Sequence, residues 1–401
     1  MNDINLTNWE NRLKDYGAVL SKWLKENLQT SSPGDIRLGI WGTSGAGKTT
    51  YLTMLYYALI TSGKWLVEVD PKARKFIEEN LSYIEEEGLF PPRTKPTKEL
   101  PIYSYTLTPR SSPNSGSKIV LYFIDAPGEF YQNILTAKAT VKENRISPSA
   151  KASEEEDKPM DIVDYLISCD GIIFLLDPER SEKDGLKYST LLRKLFLEFQ
   201  ERCRRAEIRD PRLEQYITFC VTKVDRQDFW SNRKTAQQFV EKILGIRMPL
   251  TALQGYCRLE LNPDKRKRLN KDNRCEFFSV SSLGCYQKDG EWKSPVIYPE
   301  ENDSSQSDTQ HTNSSDGNYD WDSYNDVYAP ETPSSSSSTD DWTGNNSNNK
   351  NNSESPPQSL PKINPEAILV PLNVIEPVEW LIEGIQAHPP SRITRKSPVK
   401  D

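Results

Sequence analysis

Histidine is nearly absent: the 401 residues contain two, His311 in a Ser/Asn-rich stretch and His388 near the C-terminus. A Ser-His-Asp or Cys-His site, or a histidine-ligated metal, would need imidazoles elsewhere, so the sequence argues against all three. The six cysteines (Cys169, Cys203, Cys220, Cys257, Cys275, Cys285) are widely spaced and form no Cys-x-x-Cys pair. Neither a zinc site nor a disulfide framework is indicated. No apolar run reaches membrane-spanning length, and the polar N-terminus lacks a charged-then-apolar leader pattern. The expectation is a cytoplasmic, reducing setting with no membrane span. Excess positive charge is missing as well: 51 Lys and Arg against 58 Asp and Glu give −7. That balance argues against a specific nucleic-acid partner, and Lys265-Arg-Lys-Arg268 reads as a solvated helix end.

Apolar residues are scarce, at 35 %, and the shortage is local. Residues 300–361 are dominated by Ser, Asn, Asp, Gln and Pro, including Ser334-Ser-Ser-Ser-Ser338. Such a stretch cannot bury enough apolar surface to offset its ordering entropy, and is expected to be a disordered insertion. The expected organisation is an N-terminal amphipathic helix within 1–34, a main domain over 35–299, the insertion over 300–361, a C-terminal helix within 362–388 completing the main domain, and a flexible basic tail over 389–401. The N-terminal helix follows a capping-box spacing at Thr7-Asn-Trp-Glu10 and carries Trp9, Leu13, Tyr16, Leu20, Trp23 and Leu24 as its apolar stripe.

What the chain does contain is a Gly-x4-Gly-Lys-Ser/Thr loop, Gly42-Thr43-Ser44-Gly45-Ala46-Gly47-Lys48-Thr49-Thr50. A short apolar strand precedes it and a Gly- and Pro-free helical run from Tyr51 follows it. Strand, glycine-rich loop and helix is the context in which this pattern holds phosphates. Glycines allow successive backbone N–H groups to turn toward the anion, and the helix N-terminus adds a favourable dipole. Lys48 would reach the β- and γ-phosphates, and the Thr49 hydroxyl would ligate magnesium.

Further apolar runs end in polar residues at regular intervals. Lys118–Ile124 leads into Asp125-Ala-Pro-Gly128, Gly171–Leu176 into Asp177, Tyr216–Val221 into Thr222-Lys-Val-Asp225, and Glu276–Val280 into Ser281-Ser-Leu283. Helical stretches alternate with them, among them Lys72–Glu87 and an amphipathic run with Tyr188, Leu191, Leu192, Leu195, Phe196 and Phe199 on one face. The pattern predicts an α/β, doubly wound, mostly parallel sheet flanked by helices, with ligands beyond the carboxyl ends of its strands. Asp125 can hold magnesium directly or through water, and Gly128 can offer its N–H to a γ-phosphate. Guanine presents two donors on one edge, N1–H and the 2-amino group, which one carboxylate at Asp225 can accept together. Adenine presents an acceptor there and would be repelled. The Lys223 stem can pack on the base, and Ser281, Ser282 and Leu283 bring backbone N–H groups near the guanine carbonyl.

This ordered set resembles a Ras-like P-loop GTPase of the translation-factor-related class, over about residues 35–283 plus the C-terminal helix. More loosely, the Trp41-to-Thr49 loop, Pro91-Pro-Arg-Thr94 and the Pro371-Leu-Asn-Val...Trp380-Leu ending resemble bacterial double-GTPase domains. The resemblance implies GTP/GDP and Mg2+ as ligands, a protein effector or regulator, and, from the looser likeness, another GTPase domain as partner. It also implies a switch threonine over the metal, for which Thr94, taken first, and Thr97 both fit. Where the family often has a water-orienting glutamine, this chain has Glu129. A carboxylate beside the γ-phosphate would be repelled, so slow intrinsic hydrolysis is expected. Two other readings compete: an ATP-using P-loop enzyme, and a scaffold protein with a degenerate nucleotide site.

Overall fold

The computed structural model describes residues 35–92, 94, 102–111, 118–124, 162–178, 187–205, 210, 212–226, 233–245, 248–261, 273–288, 291–297 and 361–390. The expected N-terminal helix, residues 300–360 of the expected insertion, residues 391–401 of the expected basic tail, the basic run at 265–268, Thr97 and the Asp125–Glu129 segment lie outside the described residues. The chain divides into two units, one of Met1–Ile297 with Pro361–Asp401 and one of Tyr298–Leu360, and every described residue belongs to the first.

Among the described residues, seven strands form one sheet in the order β2-β3-β4-β1-β5-β6-β7. They are β1 (Ile36–Gly42), β2 (Trp65–Val69), β3 (Ile102–Pro109), β4 (Ile119–Ile124), β5 (Gly171–Leu176), β6 (Tyr216–Val221) and β7 (Cys275–Ser279). β3 pairs antiparallel with both β2 and β4, while β4-β1-β5-β6-β7 pair in parallel. The sheet is therefore α/β and mostly parallel. The continuous apolar runs explain the parallel part: β1, β5, β6 and β7 are buried at every position, because helices cover both faces.

On one face pack α1 (Lys48–Thr61), α2 (Pro71–Glu85) and α7 (Glu376–Ala387); on the other pack α3 (Ile162–Ser168), α4 (Tyr188–Arg205), α5 (Arg233–Leu244) and the short α6 (Leu250–Leu253). Alternate residues of each central strand feed the two cores. Trp41, Phe174 and Phe219 serve one, and Ile40, Ile173 and Cys220 the other. The face covered by α3, α4, α5 and α6 carries an aromatic ladder. Trp41, Phe174, Phe219 and Phe277 stand opposite one another in register, with successive ring centroids 5.4, 5.3 and 5.6 Å apart. Each fully buried side chain of this size stabilises the fold by about 1.5–3 kcal/mol relative to exposure.

Six short elements depart from the sequence reading. Residues Trp65–Val69 were not expected as a strand, yet form the sheet edge. Leu66 and Glu68 are exposed and Trp65, Val67 and Val69 half-buried, so the burial alternates, but the apolar Leu66 on the exposed side hides that period in the sequence. Its register with β3 is secured next to the start of α2, where Asp70 accepts from the Ala73 N–H at 2.8 Å and the Ser104 N–H at 2.6 Å. α3 was likewise not anticipated, being only seven residues long. Beyond β7, a hairpin of β8 (Tyr286–Lys288) and β9 (Glu291–Lys293) leads to β10 (Val296–Ile297), which pairs with β11 (Lys362–Ile363).

Residues 361–375 then form a strap over one end of the sheet. Ile363 N–H donates to Gly88 O at 2.7 Å, and Leu372 exchanges backbone bonds of 2.8 and 3.1 Å with Ser281. Tyr51 Oη donates to Val374 O at 2.9 Å, and α7 closes the core through Val378, Leu381, Ile382 and Ile385.

All six cysteines are free and buried. Burial pushes Cys203 to about 11, with help from the charge of Glu214, and pushes Cys220 to about 12, both from 9.0. The unfolded chain releases these protons near pH 9, while the folded chain retains them to pH 11 or 12. Their contribution is intact below pH 9 and declines as the pH rises through that window. Thermal unfolding followed by circular dichroism should show a falling Tm above about pH 9, with a shallower fall in Cys220→Ala. A flat profile in that range would count against the buried thiols.

Candidate functional site

The strand register brings the polar strand ends level. Gly42 lies opposite Leu175, Leu175 opposite Cys220, and Cys220 opposite Phe278. The glycine-rich loop after β1, Asp177 after β5, Thr222–Asp225 after β6 and Ser281–Leu283 after β7 therefore share one sheet edge, beyond the carboxyl ends of parallel strands.

Residues Thr43–Gly47 turn tightly between β1 and α1, with Ala46 N–H donating to Thr43 O at 3.2 Å. Gly45 and Gly47 have φ of 78° and 81°, and at both an added Cβ would have nothing within 4 Å. The left-handed backbone needs glycine, and the open space above it is where an anion would approach. Gly47 is also the N-cap of α1, without a side-chain cap bond, and the first turn carries no acidic residue. The positive end of the helix faces that space. Lys48, 6 % exposed, donates from Nζ to Gly42 O at 2.9 Å and Thr43 O at 3.1 Å. Ser44 and Thr50 are half-buried, and Ala46 is fully buried.

The hydroxyls of Thr49 and Thr94 lie 2.9 Å apart. Hard oxygen donors at this separation suit magnesium, which is bound through one or two protein oxygens together with phosphate and water. Among the described residues no group of three or more His, Cys, Asp or Glu is placed to hold a metal. Asp125, Gly128 and Glu129 lie outside them.

At the other end of the edge, Thr222 donates from N and Oγ1 to Leu176 O at 2.8 and 3.2 Å, fastening β6 to β5. Lys223 sits at φ 59°, a conformation uncommon for a residue with a side chain and concentrated at functional sites. Its Nζ reaches Asp177 Oδ2 at 2.6 Å. A 3-10 turn, Val224–Arg226, then places Asp225, 8 % exposed, against the loop after β7. Ser281 Oγ donates to Asp225 Oδ1 at 2.6 Å. Burial, reinforced by the Asp225 charge, pushes the neighbouring Cys285 thiol up to about 12. Ser282 is half-buried and Leu283 buried in the same loop.

A family model for Double-GTPase 2 matches residues 36–248, more than half of the chain. The chain belongs to the Double-GTPase 2 family. Of the two resemblances seen in the sequence, the family model thus falls on the looser one, and the chain is a P-loop GTPase-family domain. Curated proteins gave no match. Solved structures similar to it include the signal recognition particle receptor SRb-GTP/SRX complex from Chaetomium thermophilum, at 16 % identity and TM-score 0.31, covering 64 % of this chain and 93 % of that one. The S. cerevisiae Ski7 GTPase-like domain bound to GTP is similar at 12 % identity and TM-score 0.33, covering 64 % and 45 %. Elongation factor SelB from Methanococcus maripaludis is similar at 12 % identity and TM-score 0.25, covering 63 % and 31 %.

Within this Double-GTPase 2 domain, sequence reasoning missed several contributors. Asp177 was read only as a strand end, and Tyr188 only as an apolar helix position. The Tyr188 hydroxyl in fact lies 3.0 Å from Thr43 Oγ1 and accepts from the Asp177 N–H at 2.9 Å. A bonded chain Thr43–Tyr188–Asp177–Lys223 thereby links the phosphate loop to the Thr-Lys-Val-Asp loop. The one available signal was Asp177 ending a buried strand. No helix of the described residues is long and apolar enough to cross a membrane.

Proposed function

We propose that this domain is a GTP-binding and GTP-hydrolysing switch. The observation that carries the reading is the Ser281–Asp225 bond of 2.6 Å, at the same sheet edge as the glycine-rich loop. It holds an acceptor-only carboxylate where the two donors of a guanine edge would meet it, while the loop offers N–H groups and Lys48 to phosphates. Backbone N–H groups of Ser44 to Thr50 wrap the phosphate chain. Lys48 leaves the Gly42 and Thr43 carbonyls for phosphate oxygens, a short swing within its reach. Thr222 and Lys223 shape the base pocket, and Ser281, Ser282 and Leu283 line it near the guanine carbonyl.

Magnesium, when bound, supplies charge neutralisation on the phosphates, and Thr49, Thr94 and Asp125 are the residues that would hold it. The Thr49–Thr94 separation of 2.9 Å supports Thr94 over Thr97 as the switch threonine. Gly128 N–H serves the γ-phosphate, and Glu129 beside it makes intrinsic turnover slow, so a protein regulator, another GTPase domain among the candidates, would set the rate.

Competition binding with a fluorescent GDP analogue, with and without magnesium, tests the reading. GTP and GDP should displace the probe, ATP should compete on the order of a hundredfold more weakly, and chelation of magnesium should weaken GTP. ATP competing as well as GTP would remove the guanine assignment.

A further inference from the structure

Asp225 is gripped from two sides. Ser281 Oγ donates to Oδ1 at 2.6 Å, and Ser294 Oγ donates to Oδ2 at 2.9 Å. Ser281 belongs to the motif after β7. Ser294 belongs to no motif, lies between β9 and β10, and falls outside the residues matched by the family model.

The two hydroxyls are wired alike. Ser281 Oγ accepts from the Gly284 N–H at 2.9 Å, with a longer 3.4 Å contact to Gly284 O, and Ser294 Oγ accepts from the Val296 N–H at 3.1 Å. With a backbone donor filling an acceptor site on each hydroxyl, the single hydroxyl proton is directed at the carboxylate. An ionised carboxylate has roughly four acceptor sites on its two oxygens. The two serines take one on each oxygen and leave one on each, matching the paired donors of a guanine edge.

The geometry points to Ser294 as a second positioning residue for base recognition, one that fixes the plane of the Asp225 carboxylate before the base arrives. The inference rests on the guanine reading and deepens it. It also gives the segment after the insertion a part in the site. Ser294 is set by its neighbours: Asn364 N–H donates to Pro295 O at 2.7 Å, and Val296 pairs with Ile363. The fastening that delivers the Ser294 hydroxyl thus comes from residues that follow the 298–360 unit in sequence. Preorganisation of this kind raises affinity by reducing the ordering required on binding.

Affinities for GDP of the full chain and of Ser294→Ala and Ser294→Thr provide the test. They are repeated with xanthosine diphosphate in the Asp225→Asn background, where the paired-donor match no longer exists. Ser294→Ala should weaken GDP about tenfold, and Ser294→Thr, which keeps the hydroxyl, should restore it to within about twofold. In the Asp225→Asn background the alanine substitution should change xanthosine diphosphate affinity by less than about threefold. Tighter GDP binding by Ser294→Ala would make the hydroxyl a plug and overturn the proposal. Equal losses in both backgrounds would reduce Ser294 to a supporting role in the fold and overturn it too. Unchanged GDP affinity in Ser294→Ala sinks the inference alone, whereas a wild-type chain that binds no guanine nucleotide sinks the guanine reading and this inference together.

Discussion

Asp225→Asn should turn a guanine-selective site into one that prefers xanthine nucleotides. The carboxylate can accept from guanine N1–H and the 2-amino group at once, and both bonds carry the extra strength of an ionised acceptor. Each such bond contributes about 1.5–3 kcal/mol, so losing the match should weaken GDP on the order of 10²–10³-fold. Xanthine replaces the 2-amino donor with a carbonyl acceptor, which the new amide can serve with its N–H2 while its oxygen takes N1–H. The substitution preserves side-chain shape, so Tm should move little. Titration of both nucleotides against wild type and variant reads the outcome. Retention of guanine preference in a folded variant would remove Asp225 from base recognition.

The parts of this molecule that were legible in the sequence are those whose cause is local. The runs Ile36–Trp41, Gly171–Leu176 and Tyr216–Val221 are apolar at nearly every position, because a parallel strand covered on both faces leaves no polar position to interrupt them. The fold class follows from their alternation with helices. β2 was missed because Leu66, apolar but exposed at the sheet edge, blurs in the sequence the two-residue alternation that its burial follows. α3 was missed because two turns are too short to display a face.

At the candidate site the division is similar. The phosphate loop is read from its own nine residues, since backbone conformation fixes it. The bonds that organise the rest span the chain: Thr49 with Thr94, Tyr188 with Thr43, Lys223 with Asp177, Ser294 with Asp225. A serine or tyrosine that will meet a partner far along the chain carries no periodic mark. Only the packing of β5, β6 and β7 at one level makes these neighbours, and that level is a property of the sheet.

Gly284→Ala should be among the most damaging single-methyl additions in the described chain. Gly284 sits at φ 76°, and an added Cβ would stand 1.5 Å from Val370 O, 2.3 Å from Val370 C and 3.1 Å from Pro371 N. The conformation alone costs about 1–2 kcal/mol for an L-residue. The obstacle is backbone, so the strap itself must shift, adding about 1–3 kcal/mol of overpacking. A total near 3 kcal/mol would lower Tm by roughly 6–12 °C in a domain of this size.

Gly63→Ala is the control, because Gly63 has a similar φ of 67° with nothing within 4 Å of an added Cβ. It should cost about 1–2 kcal/mol and leave nucleotide affinity unchanged. Gly284→Ala should lose affinity as well as stability, since the Gly284 N–H donates to Ser281 Oγ, which in turn holds Asp225. The strap that Val370 belongs to also makes the two backbone bonds to Ser281 through Leu372. Displacing it therefore loosens one of the two hydroxyls on the carboxylate and leaves the glycine-rich loop untouched. The affinity lost should accordingly be specific to the base: GDP weakens, while inorganic pyrophosphate competes as before. A Gly284→Ala variant no less stable than Gly63→Ala would mean that the strap does not lie on this loop in solution.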